Sequence, residues 1–244
     1  MTSDLTWMVL IPAYNEASTI LPLVQAVLAY HPNELVVVND ASTDNTAALL
    51  QDQPITLLNQ PCNQGKAAGL WLGFDLAIAQ NMDIVITMDG DGQHLPRDLP
   101  ALLKQYQQQP NSLVLGARQR NPEIQPYARY AANRLANFWI SWAAGCAVAD
   151  SQSGYRVYPV TALKTMGRLK HSAGFVLESE ILVEAAWQGY PLTHIPIEAI
   201  YAEDRRASHF HPMRDIAKIT RMVMRRLWHK RFNLKGLWRV LFRA

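Results

Sequence analysis

Cysteine is scarce in this chain: Cys62 and Cys146 are the only two among 244 residues. Two are too few for a disulfide framework, their spacing fits no metal motif, and the usage suits a reducing compartment. Neither G-x-G-x-x-G nor G-x-x-x-x-G-K-[ST] occurs. Dinucleotide-fold and P-loop readings therefore lose their main support, and any nucleotide must be held by other means. There is no internal repeat, no low-complexity tract and no recognisable nucleic-acid-reading module, so nucleic acid is not an expected partner. The apolar run LANFWISWAAGCAVA at 135–149 has 15 residues, short of the roughly 20 that span a bilayer, and reads as buried or interfacial. The opening MTSDLTWMVLIPAYNEA has no basic n-region, carries Asp4, and its apolar run stops at Pro12. It is expected to form a strand rather than a signal peptide.

What is present is apolar content, 49% of residues, enough to fill the core of one large domain or of one domain with appendages. The net charge of +3 conceals an asymmetry. From Arg205 onward there are twelve Lys and Arg against one acid, Asp215, while the preceding residues hold eleven bases and nineteen acids. An acidic body with a basic tail fits a partner rich in phosphate or an anionic membrane.

Short β-branched runs alternate with helical stretches. Strands are expected near 7–12, 34–39, 55–59, 83–88 and 112–117, with helices near 16–30, 43–51, 65–80 and 97–108. Continuous apolar strands separated by helices predict an α/β, Rossmann-like, mainly parallel sheet with helices on both faces. Ligands of such sheets bind beyond the carboxyl ends of the strands. Three polar loops fall there and should converge: Pro12-Ala13-Tyr14-Asn15-Glu16, Asn39-Asp40-Ala41-Ser42-Thr43-Asp44, and Asp89-Gly90-Asp91-Gly92-Gln93.

The third loop invites chemistry. If the strand persists that far, Asp89 and Asp91 project from one face, and Gly90 and Gly92 let a ligand approach the backbone. Two carboxylates and an amide oxygen suit Mg²⁺ or Mn²⁺, with sites left for water and phosphates. Spacing alone leaves a second reading open, a polar β-turn.

PAYNE (12–16), VVNDASTDNT (37–46), NQGKAAGLWLGF (63–74), MDGDGQH (88–94), GAR (116–118), DSQSGYR (150–156) and GFVLESEIL (174–182) follow one another in an order that resembles family 2 glycosyltransferases of the GT-A fold. The likeness covers roughly residues 7–210 and is closest to the dolichol- or polyprenyl-phosphate hexosyltransferase branch. It implies transfer of a hexose from a UDP- or GDP-linked donor with inversion at the anomeric carbon. By the same resemblance Pro12, Ala13, Tyr14, Glu16, Asp40, Lys66, Asp89 and Gly90 would bind the nucleotide. Asp89 and Asp91 would act at the diphosphate, and Asp89, Asp91 and Gln93 would hold Mg²⁺ or Mn²⁺, whose charge stabilises the departing diphosphate.

A hydroxyl acceptor requires a base, and Glu178 and Glu180 are the candidates. Two apart on a helix, they cannot share a face, so at most one serves. The alternative is that they sit at a helix start near its dipole. A lipid-phosphate acceptor is already ionised and needs cations instead. Arg118, Arg129, Arg205 and Arg206 are the first choices, Arg156 and Arg134 the second, with His209 as a further contact on a loop at 203–212. The branch often carries a bulky residue where Gly92 stands, and its members with transmembrane C-terminal domains have long apolar spans absent here.

Near the C-terminus Ile216, Ile219, Val223 and Leu227 form one stripe opposed by Lys218, Arg221 and Arg225; Leu234, Leu237, Trp238 and Leu241 repeat it against Lys235, Arg239 and Arg243. Basic amphipathic helices with Trp lie in membrane interfaces; packing on the domain itself is the alternative. The expected organisation is a catalytic domain over 1–211 and a basic helical tail over 212–244 touching an anionic membrane surface. The expected protein is a cytoplasmic, peripherally membrane-bound, metal-dependent inverting hexosyltransferase acting on a lipid-linked acceptor. A hydroxyl of another membrane lipid is the second acceptor choice. A non-catalytic membrane adaptor on a degenerate transferase fold is the rival of another class.

Overall fold

The computed structural model describes residues 5–119, 127–169, 176–198 and 212–242. Strands β1 (Trp7–Ala13), β2 (Glu34–Asn39), β3 (Thr56–Asn59) and β4 (Ile84–Thr87) are linked by helices α1 (Ile20–Leu28), α2 (Thr46–Leu50) and α3 (Lys66–Ala79). Then come α4 (Leu99–Gln108), β5 (Leu113–Arg118), α5 (Tyr127–Ala144), β6 (Arg156–Pro159), α6 (Val160–Met166), α7 (Val176–Trp187), β7 (Leu192–Ile197), α8 (Pro212–His229) and α9 (Leu234–Phe242).

The sheet order is β3-β2-β1-β4-β6-β5-β7. β1 is parallel to β2 and β4, β2 to β3, and β5 to β7. β6 alone runs antiparallel to both of its neighbours. The expected mainly parallel α/β sheet is therefore present. Alternation along β1 sends Met8 and Leu10 into one core and Trp7, Val9 and Ile11 into the other. The first core includes Phe74 of α3, Ile140 of α5, Ile181 of α7 and Val223 of α8; the second includes Val24 of α1 and Leu102 of α4. Burial on both faces is why these strands read as unbroken apolar runs.

Two boundaries differ from expectation for local reasons. The helix expected from 16 starts at Ile20, because the chain turns first through Asn15 at φ 57°. The strand expected to reach 88 ends at Thr87, so Asp89 and Asp91 are presented by a turn, with Gly92 at φ 67°, and not by a persisting strand.

The first C-terminal stripe is also corrected. Ile219, Val223 and Leu227, with Met222, are buried in the core beneath α5 and α7. The apolar area that lipid would have covered is already removed from water by the protein itself, and that burial helps hold α8 in place. Ile216 has no described side chain. α9 differs: Leu234, Trp238, Leu241 and Phe242 are exposed, Trp238 by 51% and Phe242 by 71%, while Leu237 is half-buried. It is moored from its N-terminal end, where Asn233 Nδ2 donates to the Trp142 carbonyl (3.0 Å) and Trp142 Nε1 donates to the Phe232 carbonyl (2.9 Å). No helix among the described residues is long and apolar enough to cross a membrane.

Candidate active site

The three polar loops meet at the carboxyl ends of β1, β2 and β4. The Asn15 amide donates to Ser42 Oγ (2.9 Å), Asn15 Oδ1 accepts from the Thr43 amide (2.7 Å), and the Glu16 amide donates to Thr46 Oγ1 (2.8 Å). Thr19 Oγ1 then donates to the Gly90 carbonyl at 2.7 Å, tying the β1 loop to the acidic turn. A Cβ at Gly90 would stand 3.3 Å from both the Pro12 carbonyl oxygen and Glu16 Cγ, and 3.6 Å from Ala13 Cβ. Glycine there lets the turn lie directly on the β1 loop. Tyr14 and Glu16 are half-buried along it.

Asp40 is nearly buried, and its carboxylate serves the chain itself. It accepts from Gln60 Nε2 (2.9 Å) and from the Gln64 and Gly65 amides (2.7 and 2.8 Å). These bonds shape the loop into Gly65, whose φ of 84° opens α3, and so deliver Lys66, the first residue of that helix, to the centre.

Lys66 Nζ lies 2.6 Å from Asp89 Oδ1 and 2.9 Å from Glu178 Oε2. Burial opposes its charge, but the two carboxylates outweigh this and raise its pKa. Burial would likewise raise Asp89, yet Lys66, with His94 (protonated at the low pH where Asp89 titrates) and then Arg118, brings it down to about 2; Lys66 and Asp89 are both ionised at neutral pH. Glu178, only 6% exposed, keeps its Oε1 buried with no hydrogen-bond partner among the described residues. Gly154 closes the other side: a Cβ there would fall 2.5 and 2.7 Å from the Asp89 oxygens. The Asp89 amide donates to His94 Nδ1 (3.2 Å), and the His94 ring stacks on Tyr155 at 5.1 Å. Burial lowers His94 to about 4, leaving a neutral imidazole that accepts through Nδ1. On the turn itself Asp91 Oδ1 accepts the Gln93 amide at 2.9 Å, so the polar turn and the acidic site are the same object.

Arg118 grips Asp150 along one edge of its guanidinium, Nε donating to Oδ2 at 2.7 Å and Nη2 to Oδ1 at 3.0 Å. Burial would raise Asp150, but the bonds from Arg118 win and lower it. Arg156, a second-choice phosphate ligand from the sequence, is instead wholly buried (1% exposed) and donates to three carbonyls, those of Ser151, Ser153 and Glu178. It pins the 150–154 loop to the start of α7 and is not placed to meet a substrate. Arg134 is exposed, beside Tyr130. Glu180 turns away from Lys66: its Oε1 accepts from Arg225 (2.6 Å) and twice from Arg226 (2.9 and 3.1 Å). Of the two glutamates, Glu178 alone faces the centre, and Glu180 is corrected to an inter-helix anchor. Arg205, Arg206 and His209 lie outside the described residues, as does the side chain of Arg129 on α5.

Sequence reasoning assigned no role to His94, Asp150 or Gly154. All three sit inside quoted motifs, but the pairing of Arg118 with Asp150 could have been suspected only from buried charges needing partners.

A mainly parallel sheet with an acidic turn and its flanking loops gathered at the strand ends is the GT-A architecture, a class of α/β fold built for glycosyl transfer. The sequence profile of glycosyl transferase family 2 matches residues 8–162, and the chain belongs to that family. It is 26% identical to a UDP-N-acetylglucosamine–dolichyl-phosphate N-acetylglucosaminyltransferase of Methanococcus voltae, over 80% of this chain and 85% of that protein. It is also 26% identical to a polyprenol monophosphomannose synthase of Mycolicibacterium smegmatis, over 78% and 76%. The resemblance to the dolichol- and polyprenyl-phosphate branch holds across such relatives. Among solved structures, mannosyl-3-phosphoglycerate synthase from Rubrobacter xylanophilus superposes with TM-score 0.71 at 18% identity, covering 93% of this chain and 75% of that one. Glucosyl-3-phosphoglycerate synthase from Mycobacterium tuberculosis, in complex with Mn²⁺, UDP and phosphoglyceric acid, gives 0.65 at 21%, covering 92% and 78%. At these identities the structures establish the fold. The protein is a family 2 glycosyltransferase.

Proposed function

We propose that this enzyme moves a hexose, with inversion, from a UDP- or GDP-linked donor to polyprenyl phosphate at the cytoplasmic face of a membrane. The observation that carries the reading is the ion-paired cluster Asp89–Lys66–Glu178 at the strand ends, flanked by Arg118. Pro12, Ala13, Tyr14 and Glu16 line the nucleoside end, with Asp40 shaping its floor. The acceptor oxygen attacks the anomeric carbon from the face opposite the diphosphate, and the bond to the β-phosphate oxygen breaks with its electron pair going to the diphosphate. Lys66 sets one positive charge beside that leaving group. The residues also fit a divalent cation: Asp89 already accepts an ammonium at 2.6 Å, and Gly154 leaves its carboxylate uncrowded. Asp89, Asp91 and Gln93 would hold Mg²⁺ or Mn²⁺, which would supply further charge to the leaving diphosphate.

Arg118, fixed in orientation by Asp150, supports a phosphate acceptor, which needs cations more than a base. Arg129, Arg205, Arg206 and His209 complete the proposed phosphate set. A second reading rests on Glu178: a buried carboxylate with one unpartnered oxygen in the cluster suits a general base for a hydroxyl acceptor on another membrane lipid. Exposed Trp238, Leu241 and Phe242 beside Lys235 and Arg239 support contact of α9 with an anionic surface.

The test is nucleotide release from a panel of UDP- and GDP-sugars with Mg²⁺ or Mn²⁺, with and without polyprenyl phosphate in anionic vesicles. Release from one donor that needs metal and polyprenyl phosphate, and is lost in Asp91→Ala, is the expected result. Release with a neutral lipid alcohol but not with the phosphate, abolished in Glu178→Gln, would select the second reading. No release and no nucleotide binding would favour the adaptor.

A further inference from the structure

Lys66 stands where a metal would be useful. Its ammonium lies against Asp89 Oδ1 (2.6 Å) and Glu178 Oε2 (2.9 Å) at once, so one carboxylate of the acidic turn already has a cation. Among the described residues no three of His, Cys, Asp and Glu gather as a metal-holding group. The turn itself supplies two carboxylates, Asp89 and Asp91, and Asp89 is already paired with Lys66. Glu178, meanwhile, has a buried oxygen without a partner, so it can accept a second hydrogen bond from the same ammonium.

We propose that Lys66 is an exchangeable counter-cation: it holds Asp89 until metal and nucleotide diphosphate arrive together, then passes its ammonium wholly to Glu178. The inference rests on the metal-dependent reading above. Like charges a few ångströms apart repel strongly inside a protein, so a metal entering alone must displace an ion pair without compensation. A metal entering with a diphosphate brings negative charge that offsets the repulsion between the metal and the ammonium now held by Glu178. Metal and nucleotide binding are then positively coupled, and the coupling is reciprocal. Lys66 is in this respect a positioning residue for Asp89 that sets the order in which the site fills.

The test uses Mn²⁺ as the probe and free-Mn²⁺ electron paramagnetic resonance as the readout, on the full chain, with no turnover involved. Wild type should bind Mn²⁺ weakly alone and at least about tenfold more tightly with saturating UDP or GDP. Lys66→Met should tighten Mn²⁺ binding without nucleotide by about tenfold and shrink the coupling, while Lys66→Arg keeps the metal-alone affinity weak. Circular dichroism checks that the variants are folded; if Lys66→Met does not fold, Lys66→Gln is measured in its place with the same expectation. Tight metal binding by wild type without nucleotide overturns the proposal. So does a folded Lys66→Met whose metal-alone affinity is unchanged or weaker. If Mn²⁺ binds the nucleotide complex in every form yet Lys66→Met changes nothing, only this inference fails. If Mn²⁺ never binds, the metal-dependent reading fails with it.

Discussion

Replacing Gly154 by alanine perturbs the centre by one methyl group. The added Cβ would stand 2.5 and 2.7 Å from the two oxygens of Asp89 and 2.9 Å from its Cγ. Carbon and oxygen rest comfortably at about 3.3 Å or more, so something must retreat by ~0.8 Å. The loop is poorly placed to do so: Thr87 Oγ1 donates to the Gly154 carbonyl at 2.7 Å, and Arg156 Nε donates to the Ser153 carbonyl at 2.7 Å. Asp89 is the part that yields, swinging off Lys66. Overpacking of this kind costs about 1–3 kcal/mol, which calorimetry would read as a fall in Tm of roughly 2–4 °C per kcal/mol for a chain of this size. With Asp89 in the role proposed for it at the diphosphate, its displacement by on the order of 1 Å lowers kcat/KM on the order of a hundredfold. Steady-state kinetics with the donor identified by the panel should show that loss in a protein that still folds. A Gly154→Ala enzyme within about threefold of wild type would refute the claim that Asp89 must sit where Gly154 lets it sit.

The remaining expectations concern the groups around it. Glu178→Gln should lower turnover with a hydroxyl acceptor while leaving the fold intact, whereas Glu180→Gln should destabilise the protein by about 3 kcal/mol in urea denaturation, because two guanidinium groups lose a buried carboxylate; the reverse pattern would exchange their roles. Arg156→Lys should cost about 3 kcal/mol, since a point charge cannot serve three carbonyls arranged around a planar fork and buried acceptors left unpaired cost about 1–3 kcal/mol each; an unchanged midpoint would contradict this. His94, lowered from 6.5 to about 4 by burial, takes up a proton in the unfolded chain before it does so in the native one. Its contribution is complete above pH 6.5 and is lost as pH falls toward 4, by about 3 kcal/mol. Asp89, lowered to about 2, loses its own contribution only at still lower pH, below about 4. His94→Gln should flatten the stability–pH curve between pH 4 and 6.5 in a denaturation series; an unaltered slope would show that His94 does not stay neutral.

The parallel half of the sheet was legible because β1, β2 and β4 are apolar on both faces, a pattern that survives in the linear sequence. The three loops were legible for a related reason: polar residues immediately after such strands have to lie at the strand ends. β6 was not foreseen, since RVYP is four residues ended by Pro159, too short to display a period. Helical spacing said that Glu178 and Glu180 must diverge but not which one turned inward; that depends on Arg225 and Arg226, supplied by a distant helix. The inward packing of α8 was hidden similarly. A stripe of Ile219, Val223 and Leu227 reads the same whether lipid or protein covers it, and only the tertiary contacts decide. The partners of Lys66 and of Arg118 come from remote segments, and no local pattern names them.

The reversed direction of β6 bears on how the protein is made. Because that strand runs against its neighbours, it enters the sheet where β4 leaves it, pairing Arg156 with Thr87, and the segment just before it reaches Asp89. A ribosome that has released only the first half of the chain has produced the polar loops after β1 and β2, Lys66 and the acidic turn, but neither Gly154 nor Glu178. The central cluster then waits on a long-range pairing, the slow kind of contact in folding. Chains stopped or clipped before α7 are expected to lack transfer activity, a result that in-frame truncations assayed for nucleotide release would check. Competence to transfer sugar thus arrives late in synthesis, as a property of the completed sheet.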